Sequence, residues 1–154
     1  MKLTHVDKDG RARMVDISHK PAQRRSASAE GRLIVSPDTV GLIRDSALPK
    51  GGPVEAARLA GIQAAKRTSR LIPLCHELNL DHVDVEIELE ESAFQIRAAV
   101  VCRRATGVEM EALTAVSVAA LTLYDMCKAV DSNMRIECIR VTAKEKEDLS
   151  APEN

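Results

Sequence analysis

Asp125 and Lys128 are an acid and a base three residues apart, so on a helix they share a face and can act on one bound group. Their neighbours Leu121, Tyr124, Met126 and Cys127 are apolar or nearly so. Charges on an otherwise apolar helix are costly unless they are paired or used. Two readings stay open at this point. One is a surface ion pair, which is worth little; the other is a desolvated pair with shifted pKa values at a reacting centre.

Three further clusters carry chemistry. Lys66, Arg67 and Arg70 close a helical segment, where cations suit the negative end of the helix dipole. The same three could clamp phosphate, with lysine as a point charge and arginine as a fork. Lys50, followed by Gly51 and Gly52, adds a cation on flexible backbone. Cys75 and His76 suggest a metal at first sight, but adjacent side chains diverge, and His5, His19 and His82 complete no zinc spacing. No metal is therefore expected, and His76 reads either as a structural residue or as a hydrogen-bond donor to substrate.

Glu109 and Glu111 open the long apolar segment that ends near Asp125, and acids in a first turn suit the positive end of the dipole. Glu111 and Asp125 are fourteen residues apart. On a helix they lie roughly on one face but about 21 Å apart along the axis. One chain does not easily bring both to a small reacting centre, whereas two antiparallel copies across a two-fold axis could. The spacing therefore suggests a site at a subunit interface.

The elements that must position these groups can be read in order. Residues 32–35 form a short apolar strand. Ser36, Pro37 and Asp38 supply an N-cap, a proline at the first helical position and an acid, opening a helix to about residue 47. A second helix spans 54–70, with a small-residue face of Ala56, Ala57, Ala60, Gly61, Ala64 and Ala65 that permits close packing. Val83, Val85, Ile87 and Leu89 alternate with Asp84, Glu86, Glu88 and Glu90, and Phe94, Ile96, Ala98, Val100 and Cys102 repeat the pattern. This is a hairpin with one buried face and one wet face. A helix over 109–131 follows, apolar nearly all round, and then a strand over about 134–142. Strand, helices, strand, strand, helix, strand is the split βαβ order of an α+β, ferredoxin-like fold. Residues 1–30 and 145–154, polar and charged, are expected as loosely ordered arms around a catalytic domain at 31–144.

Composition narrows the function classes. The 154 residues suit one domain with one core. A formal net charge of −1 gives no general pull toward nucleic acid or anionic membrane. With Phe94 and Tyr124 as the only aromatics, the sheet offers no base-stacking platform, so an RNA-binding module is disfavoured. Asp125 and Lys128 interrupt the apolar run 112–130, which reads as a buried helix of a soluble protein. Four cysteines without a CxxC pair, and an N-terminus without an apolar leader, point to reduced, mostly buried thiols in the cytoplasm.

The stretch TGVEMEALTAVSVAALTLYDMCKAVD at residues 106–131 resembles the cyclic pyranopterin monophosphate synthases, the molybdenum cofactor biosynthesis protein C family. AGIQAAKRT at 60–68, LIPLCH at 71–76 and MVDIS at 14–18 are similar to the same family, and the likeness extends over about residues 3–143. Glu77 and Asn79 depart from it, standing where members often have proline or another apolar residue. The resemblance implies a lyase that converts (8S)-3′,8-cyclo-7,8-dihydroguanosine 5′-triphosphate into cyclic pyranopterin monophosphate and diphosphate. No cofactor is implied, because a preceding radical enzyme makes the carbon–carbon bond. The resemblance also implies catalytic roles for Asp125, Lys128 and Lys66, and substrate contacts from Leu74, Cys75, His76, Glu109, Met110, Glu111 and Lys50. Arg25 is implied as a phosphate ligand on a mobile N-terminal segment. A homohexamer, as a trimer of dimers with active sites at the dimer interface, is implied as well. A regulatory ferredoxin-like domain that binds a small ligand without catalysis is the alternative, and it leaves the Asp–Lys pair unexplained.

Overall fold

The computed structural model describes residues 5–149. Of the expected arms, residues 1–4 and 150–154 lie outside the described residues. The elements run β1 (Gln23–Ile34), α1 (Pro37–Arg44), α2 (Pro53–Ala65), α3 (Thr68–Leu71), β2 (His82–Leu89), β3 (Ala93–Arg104), α4 (Glu109–Cys127) and β4 (Arg135–Asp148). The four strands form one antiparallel sheet in the order β2-β3-β1-β4, the ferredoxin-like α+β arrangement expected from the element order.

The sheet is built on the alternation of its strands. Ala27, Ala29, Gly31 and Leu33 of β1 stand opposite Val100, Ala98, Ile96 and Phe94 of β3, and all of them are buried. Val85 of β2 continues this inner face beside Ala98. The outer face carries Ser28, Glu30 and Arg32, with Asp84, Glu86 and Arg97 beside them. Two close approaches hold α2 and α4 against the inner face. A Cβ on Gly61 would stand 2.9 Å from the carbonyl oxygen of Ala115 and 3.4 Å from the Cβ of Ala119. A Cβ on Gly31 would stand 2.8 Å from Cγ1 of Val116. The small-residue face of α2 thus does what the sequence suggested: it lets two helices pack nearly backbone to backbone.

Several boundaries differ from expectation. β1 begins at Gln23, not at residue 32, so residues 23–30 belong to a central strand and not to an arm. Its buried residues there are alanines, and its outward residues are serine and charged, which hides the alternation. Arg25 consequently sits in β1, opposite Cys102 and Lys146, and not on a mobile segment. β4 likewise runs on to Asp148, through residues expected in the tail. It is an edge strand wet on most of its surface, with Arg140 paired to Glu30 and Glu147 to Arg24 across the ladder.

The helices end earlier than their sequence patterns do. α1 stops at Arg44 because Ser46 turns left-handed (φ 55°), sending the Ala47 amide to the Leu42 carbonyl and the Ser46 amide to that of Ile43. The helix expected over 54–70 is broken at Arg67 (φ −119°), where the Thr68 hydroxyl donates to the Ala65 carbonyl and competes with the backbone ladder. α4 ends at Cys127, and a turn carries the chain to Asp131. By length and composition α4 could cross a membrane, yet Ala112, Ala115, Val116, Ala119, Ala120 and Leu123 are wholly buried in the core of this domain.

Candidate active site

Most of the side chains singled out by sequence gather at two places, one at each end of α4. At its N-terminal end a cleft of about 320 Å³ is lined by Leu74, Cys75, His76, Glu109, Met110 and Glu111. The loop after α3 brings the first three, and the first turn of α4 brings the others. Glu111 is only 4 % exposed, and burial, with Glu109 adding repulsion, pushes its carboxyl above the usual carboxylate range. Burial, reinforced by the Glu111 charge, raises the Cys75 thiol. That keeps Cys75 protonated, so it packs as a neutral thiol and is a weak nucleophile.

The other wall of the cleft was not legible in the sequence. His5, Val15, Ile17 and Lys20 line it from the N-terminal segment, in which Val6 bridges Ala12. His76 donates from Nε2 to the Val15 carbonyl at 2.7 Å, which fixes the ring and closes that side. A second groove of about 400 Å³ shares Gly107 and Glu109 with the cleft and holds Arg25, Lys144 and Lys146. Arg25 donates to Gln23, while its Nε is buried without a partner among the described residues. Lys144 stands 3.7 Å from Glu109. No periodicity points to these lysines: Lys20 and Lys146 lie in segments that read as solvated arms, and Lys144 lies past the strand expected over about 134–142.

At the C-terminal end of α4, Asp125 is gripped by two lysines. Lys128 Nζ lies 2.8 Å from Oδ1, and Lys50 Nζ lies 2.6 Å from Oδ2 and 3.0 Å from the Asp125 carbonyl. The hydrogen bonds from Lys128 and then Lys50 hold the Asp125 carboxyl at about 2, and Asp125 in turn raises Lys128. Within one chain this cluster is a surface one, with the Asp125 and Lys128 side chains 53 % and 56 % exposed. Of the two readings left open by the sequence, the single chain shows the surface pair: Asp125 and Lys128 lie on the outward side of α4's last turns, beside exposed Leu121.

Lys66 joins neither group. It is the exposed C-cap of α2, and lines neither the cleft nor the groove. Arg67 and Arg70 instead share a shallow hollow of about 290 Å³ with Leu71 and Val118, so the three cations do not form one clamp within a single chain. Among the described residues no three His, Cys, Asp or Glu side chains converge as a metal site would require. All four cysteines are free: Cys102 and Cys127 are buried, Cys75 is half-buried and Cys138 is exposed.

Comparison with known proteins adds a family to this geometry. The sequence model described as MoaC family matches residues 14–147. A "Cyclic pyranopterin monophosphate synthase" of Chloroflexus aurantiacus is 56 % identical over 145 residues, covering 93 % of this chain and 89 % of that protein. One of the same description from Parvibaculum lavamentivorans is 55 % identical, covering 93 % and 91 %. A "Molybdenum cofactor biosynthesis bifunctional protein" of Chlorobaculum tepidum is 55 % identical over 99 % of this chain, which spans about half (49 %) of that longer protein.

Proposed function

The chain belongs to the MoaC family, and from that premise we propose that it forms cyclic pyranopterin monophosphate for molybdenum-cofactor biosynthesis, releasing diphosphate from a 3′,8-cyclo-dihydroguanosine triphosphate. One observation carries the reading: the matched span 14–147 contains Lys50, Asp125, Lys128, Glu111 and His76, which stand in two clusters at the ends of one helix.

The chemistry asks for two kinds of site. Closing the cyclic phosphate joins a substrate hydroxyl oxygen to the α-phosphorus and breaks its bond to the diphosphate, while the hydroxyl proton leaves. Cations must neutralise the charge that builds on the departing diphosphate. Lys50 and Lys128 supply them, and Asp125, an anion at neutral pH, holds the two ammonium groups at fixed spacing. Opening and reclosing the guanine-derived ring moves protons on ring nitrogens and carbons. Glu111 suits that task, because burial brings its carboxyl toward the pH at which it both takes and gives a proton. His76 and Cys75 frame the ring's pocket, and Met110 adds an apolar side chain to its lining. Leu74, Arg25 and Glu109 complete the proposed contacts to substrate, and Lys66 is the third proposed catalytic residue.

The two clusters work on one substrate only when α4 of a second copy brings its far end alongside. Exposed Leu59, Leu71 and Leu121 on the outward helical surface favour such pairing, and three pairs would make the hexamer. A cytoplasmic location suits the free thiols.

The test is turnover. Purified protein given the cyclic triphosphate should release one diphosphate for each cyclic pyranopterin monophosphate formed. Substrate returned intact would defeat the reading, whereas binding without turnover would favour a regulatory domain.

A further inference from the structure

Asp131 lies just past the turn that ends α4, is only 7 % exposed, and has no role in the chemistry above. Its Oδ2 accepts from the Ser36 amide at 2.7 Å and from the Thr39 hydroxyl at 3.0 Å, and its Oδ1 accepts from the Asn133 amide at 3.1 Å. Its own amide donates to the Cys127 carbonyl at 3.1 Å, and the Lys128 amide donates to that of Tyr124 at 2.9 Å. The turn that bears Lys128 is thus tied to helix at one end and to the start of α1 at the other.

The α1 end of this clasp leads to the second lysine. Ser36 caps α1, and Thr39, 1 % exposed, sits in its first turn. The loop after α1 folds back on the helix through the Asp45, Ser46 and Ala47 amides, and Leu48 is anchored in the core. The Gly51 amide then bonds the Leu48 carbonyl, and Lys50 stands between them. Lys50 is therefore carried on the α1 unit, and Lys128 on the α4 turn. The Asp131 carboxylate joins the two.

We infer that Asp131 is a positioning residue, whose carboxylate docks the α1 unit on the α4 turn and thereby sets Lys50 and Lys128 about Asp125. The inference rests on the reading of those three side chains as reacting groups. Plain helix capping is the competing role: a carboxylate at a helix start stabilises α1 whatever Lys50 does.

The experiment compares Asp131→Asn with Ser36→Ala. Ser36→Ala removes the capping hydroxyl and leaves the Ser36 amide bond to Asp131 in place. Thr39→Val, which removes one donor to Asp131, stands in should Asp131→Asn not fold, and Thr39→Ser should rescue it. Competitive acetylation at pH 8, followed by mass spectrometry with exposed Lys8 as internal reference, reads whether Lys50 and Lys128 are still held. Steady-state kinetics on the cyclic triphosphate give kcat and KM. In Asp131→Asn the two lysines should become severalfold more reactive and kcat should fall at least tenfold, while Ser36→Ala leaves both unchanged. Unchanged acetylation in Asp131→Asn, whatever happens to kcat, would overturn the inference. Raised acetylation with full kcat, in a protein whose Asp125→Asn variant is also fully active, would uphold the positioning role and overturn the site reading instead.

Discussion

Glu111 and Asp125 stand on the same helix with their chemistry facing different places: one is buried in a cleft at the start of α4, and the other is paired with two lysines at its end. Fourteen residues of helix put them about 21 Å apart. The proposal of a site shared between two copies depends on that separation.

The Glu111 carboxyl gives a pH-dependent signature. Its folded pKa is raised, so its contribution to stability is fully present below its ordinary value of 4.5 and is lost as pH rises through the raised one. Glu111→Gln removes that loss. The variant should gain Tm relative to the parent at pH 7–8, and gain less or nothing at pH 4.5. A Tm difference that does not change across this range would mean that Glu111 ionises freely in the folded protein.

Substitutions in the lysine cluster should separate chemistry from assembly. Lys128→Ala and Asp125→Asn should each cost roughly 10²–10⁴-fold in turnover, as expected for a positioned acid–base group. Their combination should cost little more than either alone, because the groups act as a unit. Lys50→Ala belongs to the same unit. Lys66→Ala should also lower turnover, with part of its effect in KM. Size-exclusion chromatography should show each variant assembled as the parent is. Variants that fall apart would make the cluster a structural ion pair.

Gly61 tests the packing beneath both ends of α4. Gly61→Ala puts a methyl group 2.9 Å from a backbone carbonyl that cannot step aside, and 3.3 Å from Val85. The helix must move, at a cost of about 1–3 kcal/mol. Thermal unfolding reads the cost, and a variant as stable as the parent would mean that α2 and α4 are less closely packed than described.

What the sequence made legible was whatever repeats with a clear period. The β2–β3 hairpin alternates valine and isoleucine with glutamate, and α4 shows apolar residues at helical spacing, so both were found within a few residues. Most of β1 carries no such signal, because its inward side chains over residues 23–31 are Ala27, Ala29 and Gly31, too small to stand out from their neighbours. The end of α2 is not legible either, because Thr68 breaks the ladder inside an unbroken helical pattern. For the site, the separation of Glu111 from Asp125 could be read from spacing alone. The grip of Lys50 on Asp125 could not, because it joins residues 75 apart in sequence. Nor could the wall that Val15, Ile17 and Lys20 add to the cleft, since only packing places that segment.

A site assembled from the start of one α4 and the end of another can be restored by mixing two dead proteins. Asp125→Asn and Glu111→Gln should each be inactive alone. After subunit exchange, half the sites of each mixed pair take Glu111 from one variant and Asp125 from the other. With random pairing across a two-fold interface, roughly a quarter of all sites become intact. Diphosphate release from the cyclic triphosphate by the exchanged mixture is the measurement. The account predicts recovery approaching that fraction of the parent rate; a mixture that exchanges subunits yet stays as inactive as its components would contradict it.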